Sequence, residues 1–108
     1  MSLSLNKTRV SLMKYNKTNY TKLKRYRKLI LKDRSDVDYK NYRYFLINYL
    51  LNLDQQLWDT YELYQDLLNC IKNGNVIKLN VIIKNYKNEY SNLSDYMKVS
   101  MKTIVAHK

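Results

Sequence analysis

The sequence contains no proline and a single glycine, Gly74. Proline and glycine are the residues that most often interrupt helices and strands, so this chain has almost no enforced breaks. Apolar residues recur at intervals of three and four over most of its length, which is the spacing of one face of a helix. We therefore predict an all-α fold, a bundle of about four to five helices, formed by residues 1–108 as one helical domain.

The clearest helix is predicted for residues 54–73. Asp54 is a suitable N-cap, and Gly74 can take the left-handed conformation that ends helices. The apolar positions, which step by four and three, are Leu57, Tyr61, Tyr64, Leu68 and Ile71. The opposite side carries Asp59, Glu62 and Asp66. This pattern predicts an amphipathic helix with an acidic outer face.

Other stretches have weaker boundaries. Residues 3–32 read as helix with an interruption at 16–19, and residues 33–40 read as the loop before a helix over about 37–52. The core-facing residues of that helix are predicted to be Tyr42, Phe45, Leu46, Tyr49, Leu50 and Leu53. A further helix is expected over 76–90, with Val76, Leu79, Ile82, Ile83 and Tyr86 inward. Ser94 caps a last helix that carries Tyr96, Met97, Met101, Ile104 and Val105.

Charge is abundant and unevenly distributed. The net charge is +11, which makes a polyanion the leading class of partner. Part of this excess reflects base composition, since lysine, asparagine and tyrosine have AT-rich codons. Composition bias alone does not explain why residues 1–32 contain ten cations and no acid while residues 51–70 contain four acids and no cation. The sequence thus predicts a basic helical region over residues 1–32.

Two interpretations of this basic region stay open on the residues alone. Its cations could contact DNA phosphates in a sequence-tolerant, salt-sensitive way, or they could form an ordinary solvated helix surface. The candidate DNA-binding residues are Lys7, Arg9, Lys14, Lys17, Lys22, Lys24, Arg25, Arg27, Lys28 and Lys32.

No catalytic or cofactor-binding residue is predicted. The one cysteine, Cys70, and the one histidine, His107, cannot complete a zinc site, and we expect Cys70 to be buried and His107 solvated. The acids of residues 54–73 have the spacing of a metal cluster, but a charged outer helix face explains them better. We expect a cytoplasmic protein without a membrane segment or a small-molecule substrate.

Four runs of sequence resemble bacterial insertion-sequence transposases whose DDE catalytic domain carries a large helical insert. They are LNKTRVSLMKYN, YTKLKRYRKLILKD, TYELYQDLLNCIKNGN and NLSDYMKVSMKTI, and the likeness covers about residues 4–104. The resemblance implies a parent protein with an RNase H-like α/β domain whose three carboxylates bind two divalent metal ions, Mg²⁺ above all. It also implies DNA transposition and recombination as the parent activity.

The resemblance places this chain within the helical insert. The family motif with the second aspartate would end just before residues 5–9, and the motif with the final glutamate would follow residues 101–104. Neither motif is in the sequence. There are further departures: Arg27 stands where the family has tryptophan, the stretch RYFLINYLLNL is short, and residues 105–108 leave the pattern.

The resulting expectation is a truncated or remnant transposase that is itself inactive and retains DNA binding. The alternative is a small helical interaction module that binds another protein, for example intact transposase, through its apolar stripes. A third possibility is that the fragment does not fold alone, because it exposes surface that its parent covered.

Overall fold

A computed structural model describes residues 2–36 and 42–106, without the side chains of residues 42 and 43. Within these residues the chain forms seven α-helices and no strand, which confirms the all-α prediction. The helices are α1 (Ser2–Tyr15), α2 (Tyr20–Arg25), α3 (Arg27–Leu31), α4 (Tyr42–Leu51), α5 (Gln55–Lys72), α6 (Val76–Glu89) and α7 (Asp95–Ala106). Short 3-10 helices occupy Lys17–Asn19 and Arg34–Asp36.

The number of helices exceeds the predicted four to five because residues 2–31 form three of them. The interruption predicted at residues 16–19 is confirmed, and the Asn16 side chain accepts a hydrogen bond from the Asn19 amide there. A second bend at Tyr26 was not predicted. The Tyr26 amide still donates to Lys22 O at 3.0 Å, and Tyr26 O still accepts from Ile30 N at 3.2 Å. Both hydrogen bonds are kept through the bend. No proline or glycine stands at this position, so the sequence gives no sign of the bend.

Helix α1 lies at the centre of the bundle. It packs against α2 and α3 on the N-terminal side and against α5 and α7 from the rest of the chain. The fully buried aliphatic and methionine side chains are Leu5, Leu23, Ile30, Leu50, Leu57, Leu63, Leu67, Met97 and Met101. All of the other helices except α4 and α6 therefore meet at α1, while α5 joins those two to the bundle.

A buried hydroxyl cluster joins α1, α5 and α7. The hydroxyl oxygens of Thr8 and Ser94 are 2.6 Å apart, and the Ser94 amide donates to the Thr60 hydroxyl at 3.2 Å. The Ser94 hydroxyl also accepts from the Met97 amide, which confirms that Ser94 caps α7. Because buried polar groups are costly without partners, this cluster fixes how the three helices meet.

The ends of α5 match the sequence prediction. The Asp54 carboxylate accepts a hydrogen bond from the Leu57 amide at 3.1 Å. After the helix ends, Gly74 has a φ of 63°, in the left-handed region that glycine adopts at low cost. The Asn75 amide then donates back to Cys70 O at 2.9 Å, so the turn satisfies a carbonyl at the helix end.

Several apolar positions predicted to face the core do not. Phe45 and Tyr49 of α4 are 67% and 44% exposed, and the helix instead buries Ile47, Leu50 and Leu51. Helix α4 is apolar on nearly all sides, so no polar face distinguishes the buried side. At the start and end of helices the same error recurs, with exposed side chains at Ile71, Val76, Tyr96 and Val105. The proposed start of the α4 region at residues 37–41 lies outside the described residues.

Every helix of the described residues is too short or too polar to cross a bilayer.

Candidate nucleic-acid interface

The basic region is built on the outer sides of α2 and α3. Leu23 and Ile30 are fully buried, which turns the cations between and beside them outward. The exposed members of the candidate set are Lys7, Lys14, Lys17, Lys22, Lys24, Arg25, Arg27, Lys28 and Lys32. Six of these nine fall within residues 22–32. We call these six, Lys22, Lys24, Arg25, Arg27, Lys28 and Lys32, the basic ridge.

Aromatic rings support some of the exposed cations. Lys22 Nζ lies 4.8 Å from the centroid of the Tyr49 ring, and the Tyr49 hydroxyl donates to Asn19 Oδ1 at 2.8 Å. The Arg25 guanidinium lies 5.5 Å from the ring of Tyr26. A ring face attracts a cation without neutralising it, so these contacts position the charge and leave it available to an anion. Sequence reasoning missed Tyr49, because no local pattern indicates its contact with Lys22.

No carboxylate of the described residues forms an ion pair with the basic ridge. The ion pairs among the described residues lie elsewhere: they join Arg34 to Glu62 and Asp66, Lys72 to Asp33, and Lys98 to Asp95. Like charges therefore accumulate along the basic ridge, which raises its positive potential and favours a bound polyanion.

Arg9 does not belong to this surface, contrary to the sequence prediction. Arg9 is only 5% exposed. Arg9 Nη1 donates to Leu23 O at 2.9 Å and Nη2 donates to Asn6 Oδ1 at 2.9 Å. Burial lowers the pKa of the Arg9 guanidinium, and the nearby charge of Arg27 lowers it further. Arg9 is thus a structural contact between α1 and α2 that a phosphate does not reach.

The acids of α5 are held by donors from other segments. Arg34 Nη1 is 2.9 Å from Glu62 Oε2, and Arg34 Nη2 is 3.4 Å from Asp66 Oδ1. The Tyr90 hydroxyl donates to the other oxygen of Asp66. The Asn92 amide donates to Asp59 Oδ2 at 2.9 Å. These contacts join α5 to the segments on either side of it, and we call the set the acidic brace.

The acids of α5 that have the spacing of a metal cluster are each bound by protein donors. Asp59, Glu62 and Asp66 each accept at least one hydrogen bond from an arginine, tyrosine or backbone donor. Within residues 2–36 and 42–106, no three histidine, cysteine or acidic side chains come together as a metal site. Cys70 is buried as expected, with 2% exposure. His107 lies outside the described residues.

Comparison with known proteins decides the family. The sequence model of a transposase family, the ISL3-type DDE transposases, matches residues 1–108. The chain belongs to this transposase family. No curated protein and no solved structure matches the chain significantly.

Among the described residues of this transposase chain, the basic ridge is the densest run of exposed cations. The acids of α5 are engaged in the acidic brace and form no ion pair with the basic ridge.

Substitution of Arg9 tests its structural role in the transposase chain. Arg9→Lys keeps the charge but loses the planar fork, leaving Leu23 O or Asn6 Oδ1 without a partner. We expect the free energy of unfolding, measured in urea, to fall by about 1–3 kcal/mol. Lys14→Met, which removes an exposed cation from the same helix, should change it by less than about 0.5 kcal/mol. Equal effects of the two substitutions would contradict the assignment.

The raised pKa of Tyr90 predicts that the protein becomes less stable at alkaline pH. Burial and the hydrogen bond to Asp66 raise the pKa of Tyr90 above its usual value. The unfolded chain therefore loses this proton near pH 10 while the folded chain keeps it, so the free energy of unfolding falls as pH rises above about 10.

Tyr90→Phe isolates this effect from the other tyrosines. At pH 7 the variant should be less stable by about 1 kcal/mol because the hydrogen bond to Asp66 is lost. The advantage of the wild type should shrink as pH rises beyond about 10, in chemical unfolding followed by circular dichroism. A stability difference that stays constant with pH would show that Tyr90 is not held neutral by the fold.

Proposed function

We propose that this chain is a DNA-binding helical part of an insertion-sequence transposase and does not itself cut or join DNA. The observation that carries the proposal is the basic ridge. Six exposed cations lie within residues 22–32, and no described carboxylate pairs with them. A surface of this kind has its most favourable interaction with a densely charged anion such as the DNA backbone.

The mode of binding follows from the residue types. Lysine and arginine on short helices reach phosphate oxygens, and such contacts position a protein on DNA without reading its sequence. Each neutralised phosphate releases counterions, so affinity should fall steeply with salt, with a slope of log K on log salt of about −0.9 per phosphate. Specific recognition of DNA ends is therefore assigned to other parts of the transposase.

The absence of catalysis is proposed from the state of the carboxylates. Strand cleavage by two metal ions needs carboxylates that converge and are free to bind metal. Glu62 and Asp66 converge instead on Arg34, at 2.9 and 3.4 Å. Any Mg²⁺ that serves the parent family would be held by carboxylates other than these.

A second candidate function is a protein contact, for example with intact transposase. An apolar patch at the turn between α5 and α6 favours it. Ile71, Val76, Ile77 and Val81 are 58%, 64%, 81% and 51% exposed. Exposed apolar residues that lie together often mark interaction sites.

Charge reversal on the basic ridge distinguishes the two functions. In the variant that combines Lys24→Glu, Arg25→Glu and Lys28→Glu, we expect duplex affinity at low salt to fall at least tenfold. Its salt slope should decrease by about three. Binding is measured by fluorescence anisotropy with a short duplex at several salt concentrations. A pulldown of intact transposase should be unaffected, because the apolar patch is unchanged.

A charge-conserving variant serves as the control. Lys24→Arg with Lys28→Arg keeps both cations and should bind DNA like the wild type, and circular dichroism checks that every variant is helical. If the reversed variant binds DNA as tightly as the control, or if the wild type does not bind even at low salt, the DNA-binding proposal is wrong.

A further inference from the structure

Two adjoining grooves between α6 and α7 form a second concentration of cations, far in sequence from the basic ridge. The first groove, of about 460 Å³, is lined by Lys84, Lys87 and Lys102 together with Ile83 and Tyr86. The second, of about 280 Å³, shares Lys87 and Lys102 and adds Lys98. We call the two together the α6–α7 furrow. Sequence reasoning did not single out these lysines, because their convergence depends on how the two helices pack.

No acid lines the furrow. Among the described residues, Lys84, Lys87 and Lys102 form no ion pair, and Lys98 Nζ is 3.9 Å from a carboxylate oxygen of Asp95. The Asp95 side chain is 98% exposed, so this pair is weak. Lysines from two helices thus face one another across the furrow without neutralisation. An anion bound in the furrow would reduce the repulsion between these lysines.

The lysines of the furrow favour a polyanion as its occupant. Ile83 and Tyr86 are only 8% and 6% exposed, whereas Val105, which also lines the first groove, is 44% exposed. Phosphate groups bind through the lysine ammonium groups, whereas an amphipathic helix would bind through apolar surface. Lys98 and Lys102 are one turn apart, about 6 Å along the α7 axis. That length spans about two nucleotides of a strand at 3.4 Å each.

We propose that the α6–α7 furrow is a second DNA-binding surface, which holds the phosphodiester backbone between Lys87 and Lys102. The partner class follows from the charge of the furrow and from the transposase family of the chain. This surface is independent of the basic ridge. A chain with both surfaces can contact two stretches of DNA at once.

Lysine acetylation with and without DNA tests the furrow directly in the full chain. The protein is treated briefly with an acetylating reagent at low salt, alone or with a short duplex, and the rate at each lysine is read by mass spectrometry. We expect the duplex to slow the modification of Lys87 and Lys102 several-fold. Lys78, exposed on the same helix but outside the furrow, serves as the internal control and should change little.

Each outcome of this experiment decides the proposal. Equal rates at Lys87 and Lys102 with and without duplex would overturn it, as would equal protection of Lys78. Protection by polyglutamate but not by the duplex would overturn it in favour of an acidic protein segment. Lys22, Lys24 and Lys28 report on the basic ridge in the same digest, so failure at one surface is distinguished from failure at the other.

A variant supports the assignment by an independent measurement. Lys87→Glu combined with Lys102→Glu should lower duplex affinity several-fold while the protection of Lys24 and Lys28 persists. The substituted side chains lie at the rim of the furrow and are exposed, so the helical circular dichroism spectrum should not change. An affinity equal to that of the Lys78→Glu variant would contradict the proposal.

Discussion

The buried guanidinium of Arg9 is the contact on which the presentation of the basic ridge depends. It lies in a stretch of sequence that contains no acid, so a salt bridge within residues 1–32 cannot compensate its burial. Neutral acceptors do so instead: Leu23 O at 2.9 Å and the Asn6 side chain at 2.9 Å. Leu23 O is one of the last carbonyls of α2, which carry partial negative charge and need donors. Arg9 therefore holds α2 against α1 and leaves the other cations of α2 on the outside.

Opposite charges are kept apart by a second set of contacts. The acids of α5 are engaged by Arg34, Tyr90 and the Asn92 amide in the acidic brace, and none of them pairs with the basic ridge. Helix α1 packs against α2 and α3, which carry the ridge, and against α5 and α7. The hydroxyl cluster around Ser94 fixes the packing of α1 against α5 and α7 through Thr8, the residue before Arg9. The positions of the basic ridge and of the α5 acids thus depend on a few polar contacts beside a largely aliphatic core.

Features governed by local sequence were predictable, and features governed by packing were not. The caps Asp54 and Ser94 and the glycine turn at Gly74 follow from neighbouring residues alone, and each is present. The buried side of α4 was not predictable, because Phe45 and Ile47 are equally apolar and only contact with α3 and α5 selects between them. Arg9 looked like its neighbouring cations for the same reason. Its burial is decided by α2, which returns over α1 after the break at residues 16–19.

We propose that α1 makes the chain one cooperative unit, which presents the basic ridge. Differential scanning calorimetry of the full chain tests this claim most directly. If α1 couples the N-terminal helices to α5 and α7, unfolding should occur in one transition whose calorimetric and van't Hoff enthalpies agree. Two separate transitions, or a gradual loss of helix without a heat-absorption peak, would contradict the claim.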